Sequence, residues 1–160
     1  MAVTQQLVRI SAKQRLIYST NNEELQRLLS FESEPFDSYI DLNWSPQNLI
    51  YAVYDVLGSE VGKKFAFFFW EDGEILNANC PFGLEDDPVY SKVTVVSHAY
   101  IVDLITMLFK SSSTSIAKAA SQYKNEDLAN PIDFYLDNYI KLCDFLVIAV
   151  NNDDELLTLN

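Results

Sequence analysis

A chain of 160 residues with 49% hydrophobic and 13% aromatic content is long enough to bury one compact core and too apolar for a disordered segment. Eleven basic against 23 acidic residues give a formal net charge of -12, a field that repels phosphate backbones and anionic bilayers. Nucleic acid and membrane surfaces are therefore disfavoured as direct partners; the charge confers solubility by itself, and it also suits a basic protein partner.

The opening MAVTQQLVRISAKQ has no basic head followed by an apolar run of signal-peptide length, and no stretch approaches the roughly 20 apolar residues of a membrane span. The expected location is the cytoplasm, with Cys80 and Cys143 as free thiols rather than a disulfide framework. Val3 to Ile10 reads as a strand with Val8 and Ile10 on one face. Helical pieces follow over Ala12 to Tyr18 and over Glu23 to Phe31, the second with Leu25, Leu28 and Leu29 at helical spacing after Asn21 and Asn22 as capping candidates. Ser33 to Asp41 reads as a loop. Ser45 to Gly58 carries the punctuation of a helix: Ser45 at the N-cap, Pro46 at the first helical position and Gly58 past the end, with Leu49, Ile50, Val53, Val56 and Leu57 as its buried stripe.

The stretch FAFFFWEDG, Phe65 to Gly73, predicts an inner strand with both faces covered, because apolar residues occupy both sides of a period-two pattern. Glu71-Asp72-Gly73 would then turn a hairpin into a return strand over Glu74 to Asn77. Asn79 to Ser91 reads as a long loop, and Lys92 to Val96 as a strand. Ser97 caps a helix to about Lys110 with Ile101, Leu104, Ile105 and Leu108 inward. The serine run at Ser111 to Ser115 precedes a short helix from Ile116 to Tyr123. The longest helix runs from Pro131 to about Val150, with Asp133, Asp137, Lys141 and Asp144 at spacings of four, four and three and a mostly apolar remainder, and therefore belongs at the centre of the core. Asn151 to Asp154 turns the chain into a closing strand, ELLTLN. The class is α+β: a single domain with a small mixed or antiparallel sheet packed by several helices.

In MAVTQQLVRISA, in Asp41-Leu42-Asn43-Trp44 before a helix ending at Gly58, in FAFFFWEDG, in VTVVSHAYIVDLITML and in CDFLVIAVNNDDELLTLN, the chain resembles the YfbM-like family of small bacterial proteins of unknown function. The resemblance covers order and spacing over nearly the whole chain. It implies an α+β domain and brings no known activity. The chain departs from the family where a histidine is usual on the helix after Trp44, and where paired glycines tend to replace Glu71-Asp72-Gly73.

The single histidine, His98, restricts the chemistry. A zinc site would need carboxylate ligands and lacks the familiar pair spacings, and no glycine-rich phosphate loop is present. Three adjacent acids, Glu85-Asp86-Asp87, cannot all turn to one calcium ion, and a solvated loop is the simpler reading. No metal or cofactor is expected, no catalytic constellation stands out, and a non-enzymatic role is favoured. The leading expectation is a non-catalytic interaction module, inhibitor- or immunity-like, that meets a basic protein through Glu71, Glu74, Glu85, Asp86 and Asp87. The alternative is a small-molecule binder or enzyme with a pocket between Asp41, Trp44, Trp70, Asp72 and His98. Tyr51, Tyr54, Tyr135 and Tyr139 lie on predicted helices and are candidates for partly outward aromatics.

Overall fold

The computed structural model describes residues 6–70, 74–76, 93–123 and 128–159. They form an α+β domain of seven helices and a five-stranded antiparallel sheet. The strands are β1 (Gln6–Ile10), β2 (Tyr39–Asp41), β3 (Glu74–Ile75), β4 (Val93–Val96) and β5 (Glu155–Leu159), in the spatial order β2-β1-β5-β4-β3. The last strand is thus the middle one. Its register joins the two ends of the chain, with Gln6 opposite Leu159 and Val8 opposite Leu157 on one side, and Val95 opposite Leu157 on the other.

Side-chain alternation makes the sheet the middle layer of three. Val8, Ile10, Val95 and Leu157 point to one face, where Tyr18 of α1 (Ala12–Thr20) and Leu25 and Leu28 of α2 (Asn22–Leu29) cover them. Leu7, Val96 and Leu156 point to the other, into the larger core built by the remaining helices. Arg15 of α1 reaches Glu155 at the start of β5 at 2.9 Å. The Arg9 guanidinium lies 5.1 Å from the centre of the Phe145 ring and donates to the Asp37 carbonyl at 2.8 Å.

The helices of the larger layer are α3 (Pro46–Leu57), α4 (Ser59–Trp70), α5 (His98–Leu108), α6 (Ser113–Ser121) and α7 (Pro131–Asn151). As its sequence implies, α7 is central: Tyr135, Tyr139, Leu142, Cys143, Leu146 and Ala149 are buried, while Asp133, Asp137, Lys141 and Asp144 face outward. Ser97 caps α5 by accepting the Tyr100 N–H at 3.3 Å, and Asn21 caps α2 by accepting from Glu24 at 3.1 Å. Ser45 departs from expectation. It is itself helical, with φ -68° and ψ -26°, and its hydroxyl donates to the Leu42 carbonyl at 2.7 Å instead of capping α3. Val56, expected in the buried stripe of α3, is 38% exposed.

The aromatic run is the main correction. Phe65 to Trp70 is not a strand and forms no hairpin; it is the second half of α4, and β3 pairs instead with β4. The buried members Phe65, Phe68 and Phe69 fall at i, i+3 and i+4, the spacing of one helix face, whereas Phe67 is 43% exposed. Phe65 and Phe69 meet edge to face with ring centres 5.1 Å apart. Six consecutive apolar residues satisfy a period of two and a period of 3.6 equally, so the run carries no signal that separates them. The short strand β2 lies in the region read as a loop, because three residues are too few for an alternation to register.

Gly58, at φ +96°, separates α3 from α4, and Gly62 lets the two helices close. A Cβ on Gly62 would stand 2.3 to 2.6 Å from carbons of the Tyr54 ring. Farther along, the Tyr100 hydroxyl of α5 donates to the Lys64 carbonyl of α4, and the Lys64 ammonium sits 4.5 Å from the centre of the Tyr100 ring.

Gly62→Ala is expected to lower the urea midpoint, because overpacking of about 1–3 kcal/mol outweighs the gain in helix propensity of about 1 kcal/mol. An unchanged or raised midpoint would show that the α3–α4 contact yields. The Cys143 thiol, pushed up from 9.0 to about 11 chiefly by burial, gives a second expectation. Between those values the unfolded chain releases a proton that the folded chain retains, so stability falls as pH rises from 9 to 11 and is untouched by this group below that window. In urea titrations at several pH values, the slope across the window should be shallower in Cys143→Ala than in the parent.

Candidate functional site

β2 ends at Asp41, and the chain must turn sharply to enter α3. Asn43 makes the turn with φ +54°, a conformation that asparagine tolerates because its short polar side chain bonds locally. Its N–H donates to Asp41 Oδ1 at 2.7 Å and its Nδ2 to Asn138 Oδ1 at 3.2 Å. Asn138, buried on α7, in turn donates to the Phe134 carbonyl at 2.8 Å. Lys141 Nζ closes the connection on the Asp41 carbonyl at 3.2 Å. This network pins the start of α3 to the first half of α7 and so fixes where Trp44 points.

Trp44 stacks on Phe134 of α7, with ring centres 4.6 Å apart and planes at 27°, yet remains 37% exposed. From Trp44 the residues Gln47, Tyr51 and Asp55 follow at spacings of three, four and four and are all exposed, so they form one outward ridge along α3. Gln47 Nε2 donates to the Tyr51 hydroxyl at 3.0 Å. The Tyr51 ring lies 4.9 Å from that of Tyr123, just beyond α6, with planes at 41°. The Tyr123 hydroxyl donates to Asp55 Oδ2, and that hydrogen bond to the carboxylate holds its proton above the usual phenol range. Among the described residues no cation pairs with Asp55. Two aromatic pairs and a carboxylate thus stand in a row, each ring on the ridge propped by a ring from a distant part of the chain.

The other expected site residues are distributed elsewhere. His98 opens α5, where its Nε2 donates to the Val150 carbonyl at 3.2 Å and lies 3.6 Å from Asp153 Oδ1. This is the far end of α7: Phe134 and Val150 are 16 residues apart, about 24 Å along the helix axis. Trp44 and His98 therefore do not line one cleft. Near His98, burial raises the proton affinity of Asp154, partly offset by the Arg9 charge. Trp70 is the last residue of α4 and Glu74 the first of β3. Asp72, Glu71, Glu85, Asp86, Asp87 and Cys80 lie outside the described residues. Of the four helical tyrosines, Tyr51 is 40% exposed and Tyr54 half-buried, whereas Tyr135 and Tyr139 are in the core. Among the described residues no group of three His, Cys, Asp or Glu side chains is placed to hold a metal ion.

Asp55 and Tyr123 were not among the expected site residues. The ridge spacing from Trp44 to Asp55 is readable in the sequence once α3 is accepted, but Tyr123 joins it across 68 residues and leaves no local signal.

Asn138→Ala is expected to destabilise the domain by about 1–3 kcal/mol, since it leaves the Asn43 amide without its side-chain partner. The same substitution should increase the exposure of Trp44, seen as a red shift of its emission in a Trp70→Phe background, where Trp44 is the sole tryptophan. An unshifted spectrum would show that the stacking on Phe134 suffices to place the ring. No family model, no curated protein and no solved structure matches the chain.

Proposed function

We propose that the protein is a non-catalytic interaction module, inhibitor- or immunity-like in its physical logic, which binds a basic protein through the α3 ridge. The observation that carries this reading is the row Trp44, Tyr51 and Asp55, with its rings held in place by Phe134 and Tyr123. Tryptophan and tyrosine dominate binding hot spots because they bring large contact areas at little entropic cost, and here that cost is lowered further by the stacking. The net charge of -12 would speed the encounter with a cationic surface. The YfbM-like relationship is part of the same proposal, supported by the sequence segments that carry the resemblance, the Asp41 to Trp44 step among them, and it contributes no activity of its own.

The test is affinity purification with the wild-type chain beside a Trp44→Ala/Tyr51→Ala variant, followed by direct binding measurements on the purified partner. A net-positive partner should be retained by the wild type and bound at least about tenfold more weakly by the variant. Its affinity should also fall as salt rises from about 50 to about 500 mM. Equal binding by the variant, or binding indifferent to salt, would overturn the proposal.

A further inference from the structure

Resting on the interaction reading above, we propose that Tyr51, Tyr123 and Asp55 together receive an arginine side chain of the partner. Asp55 is exposed, accepts one hydrogen bond from the Tyr123 hydroxyl on Oδ2, and has no cationic neighbour among the described residues. A carboxylate on a surface where a lysine or arginine would ordinarily pair with it at small gain is unremarkable alone. Here two rings stand beside it, Tyr123 bonded to it through its hydroxyl and Tyr51 in contact with Tyr123. Tyr51 precedes Asp55 by one helical turn, and the Tyr51 and Tyr123 rings are tilted 41° to each other at 4.9 Å. The face of an aromatic ring carries the negative lobe of its quadrupole and attracts a cation.

Arginine fits this arrangement better than lysine. A planar guanidinium can lie against the Tyr51 ring while donating in its own plane to Oδ1 of Asp55, so one group meets both features at once. A lysine ammonium is compact and strongly hydrated, and must give up water on one side to approach the ring and on the other to approach the acid. The Gln47 amide, already engaged with the Tyr51 hydroxyl at 3.0 Å, holds the ring still as the cation arrives.

The experiment is an NMR titration of the full chain with N-acetyl-arginine amide at low salt, and with N-acetyl-lysine amide as the comparison. The arginine probe should shift the ring resonances of Tyr51 and Tyr123 saturably, and the lysine probe should bind at least about threefold more weakly. Asp55→Asn, an isosteric and exposed change, should weaken arginine binding at least about threefold, and so should Tyr51→Leu. Equal response to the two probes, shifts scattered over acidic residues elsewhere, or binding unaffected by both substitutions would overturn the inference. Capture of a partner through the ridge without arginine-induced shifts overturns this site and leaves the interaction reading standing. Arginine binding at the three residues without any captured partner does the converse.

Discussion

The position of β5 between β1 and β4 is the constraint on which the other elements depend. A central strand hydrogen-bonds along both edges, so the last residues of the chain complete the pairing of the first strand and of β4 at once. Leu156 and Leu157, adjacent in sequence, send one side chain to each core cluster and thereby seal both layers to the sheet. Because Gln6 and Leu159 must meet, the sheet closes a loop nearly as long as the chain, a long-range pairing whose entropic cost has to be met by burial on both faces.

α7 is positioned by that strand. Asn152 to Asp154 turn the chain within a few residues, with Asp153 at φ +55°, so α7 must run back across the sheet from the start of β5. Its buried side packs α6 and shares the core with α3, and its first half holds Asn138 and Phe134 beneath the Asn43–Trp44 turn. The same helix therefore supports the interior and orients the candidate binding ridge. Its other end receives His98, which satisfies a terminal carbonyl of α7 and is better understood as part of the helix ending than as a reacting group.

On the ridge itself, rigidity comes from contacts between side chains. A lone surface tyrosine would lose rotamer freedom on binding, whereas Tyr51 is already restrained by Gln47 and Tyr123, and Trp44 by Phe134. Outward-facing aromatics restrained in this way are suited to contact with another molecule more than to packing within their own.

Features whose cause is local are legible in the residues themselves. The serine and asparagine caps of α5 and α2, Pro46 and Gly58 at the ends of α3, the one-sided polarity of α7 and the strand character of Val8 to Ile10 and of the closing segment all follow from backbone preference and side-chain periodicity within a few residues. Tertiary structure decided the remainder. Phe65 to Trp70 is apolar in either period, so only its packing against α3, where Gly62 admits the Tyr54 ring, selects the helix. Asp41 and Trp44 belong together and His98 does not join them, because 24 Å or so of α7 separates their contacts, a distance that no spacing in the sequence records. Tyr123 meets Asp55 only because α6 packs beside α3, and contacts of that range are set by the fold as a whole rather than by the residues on either side of them.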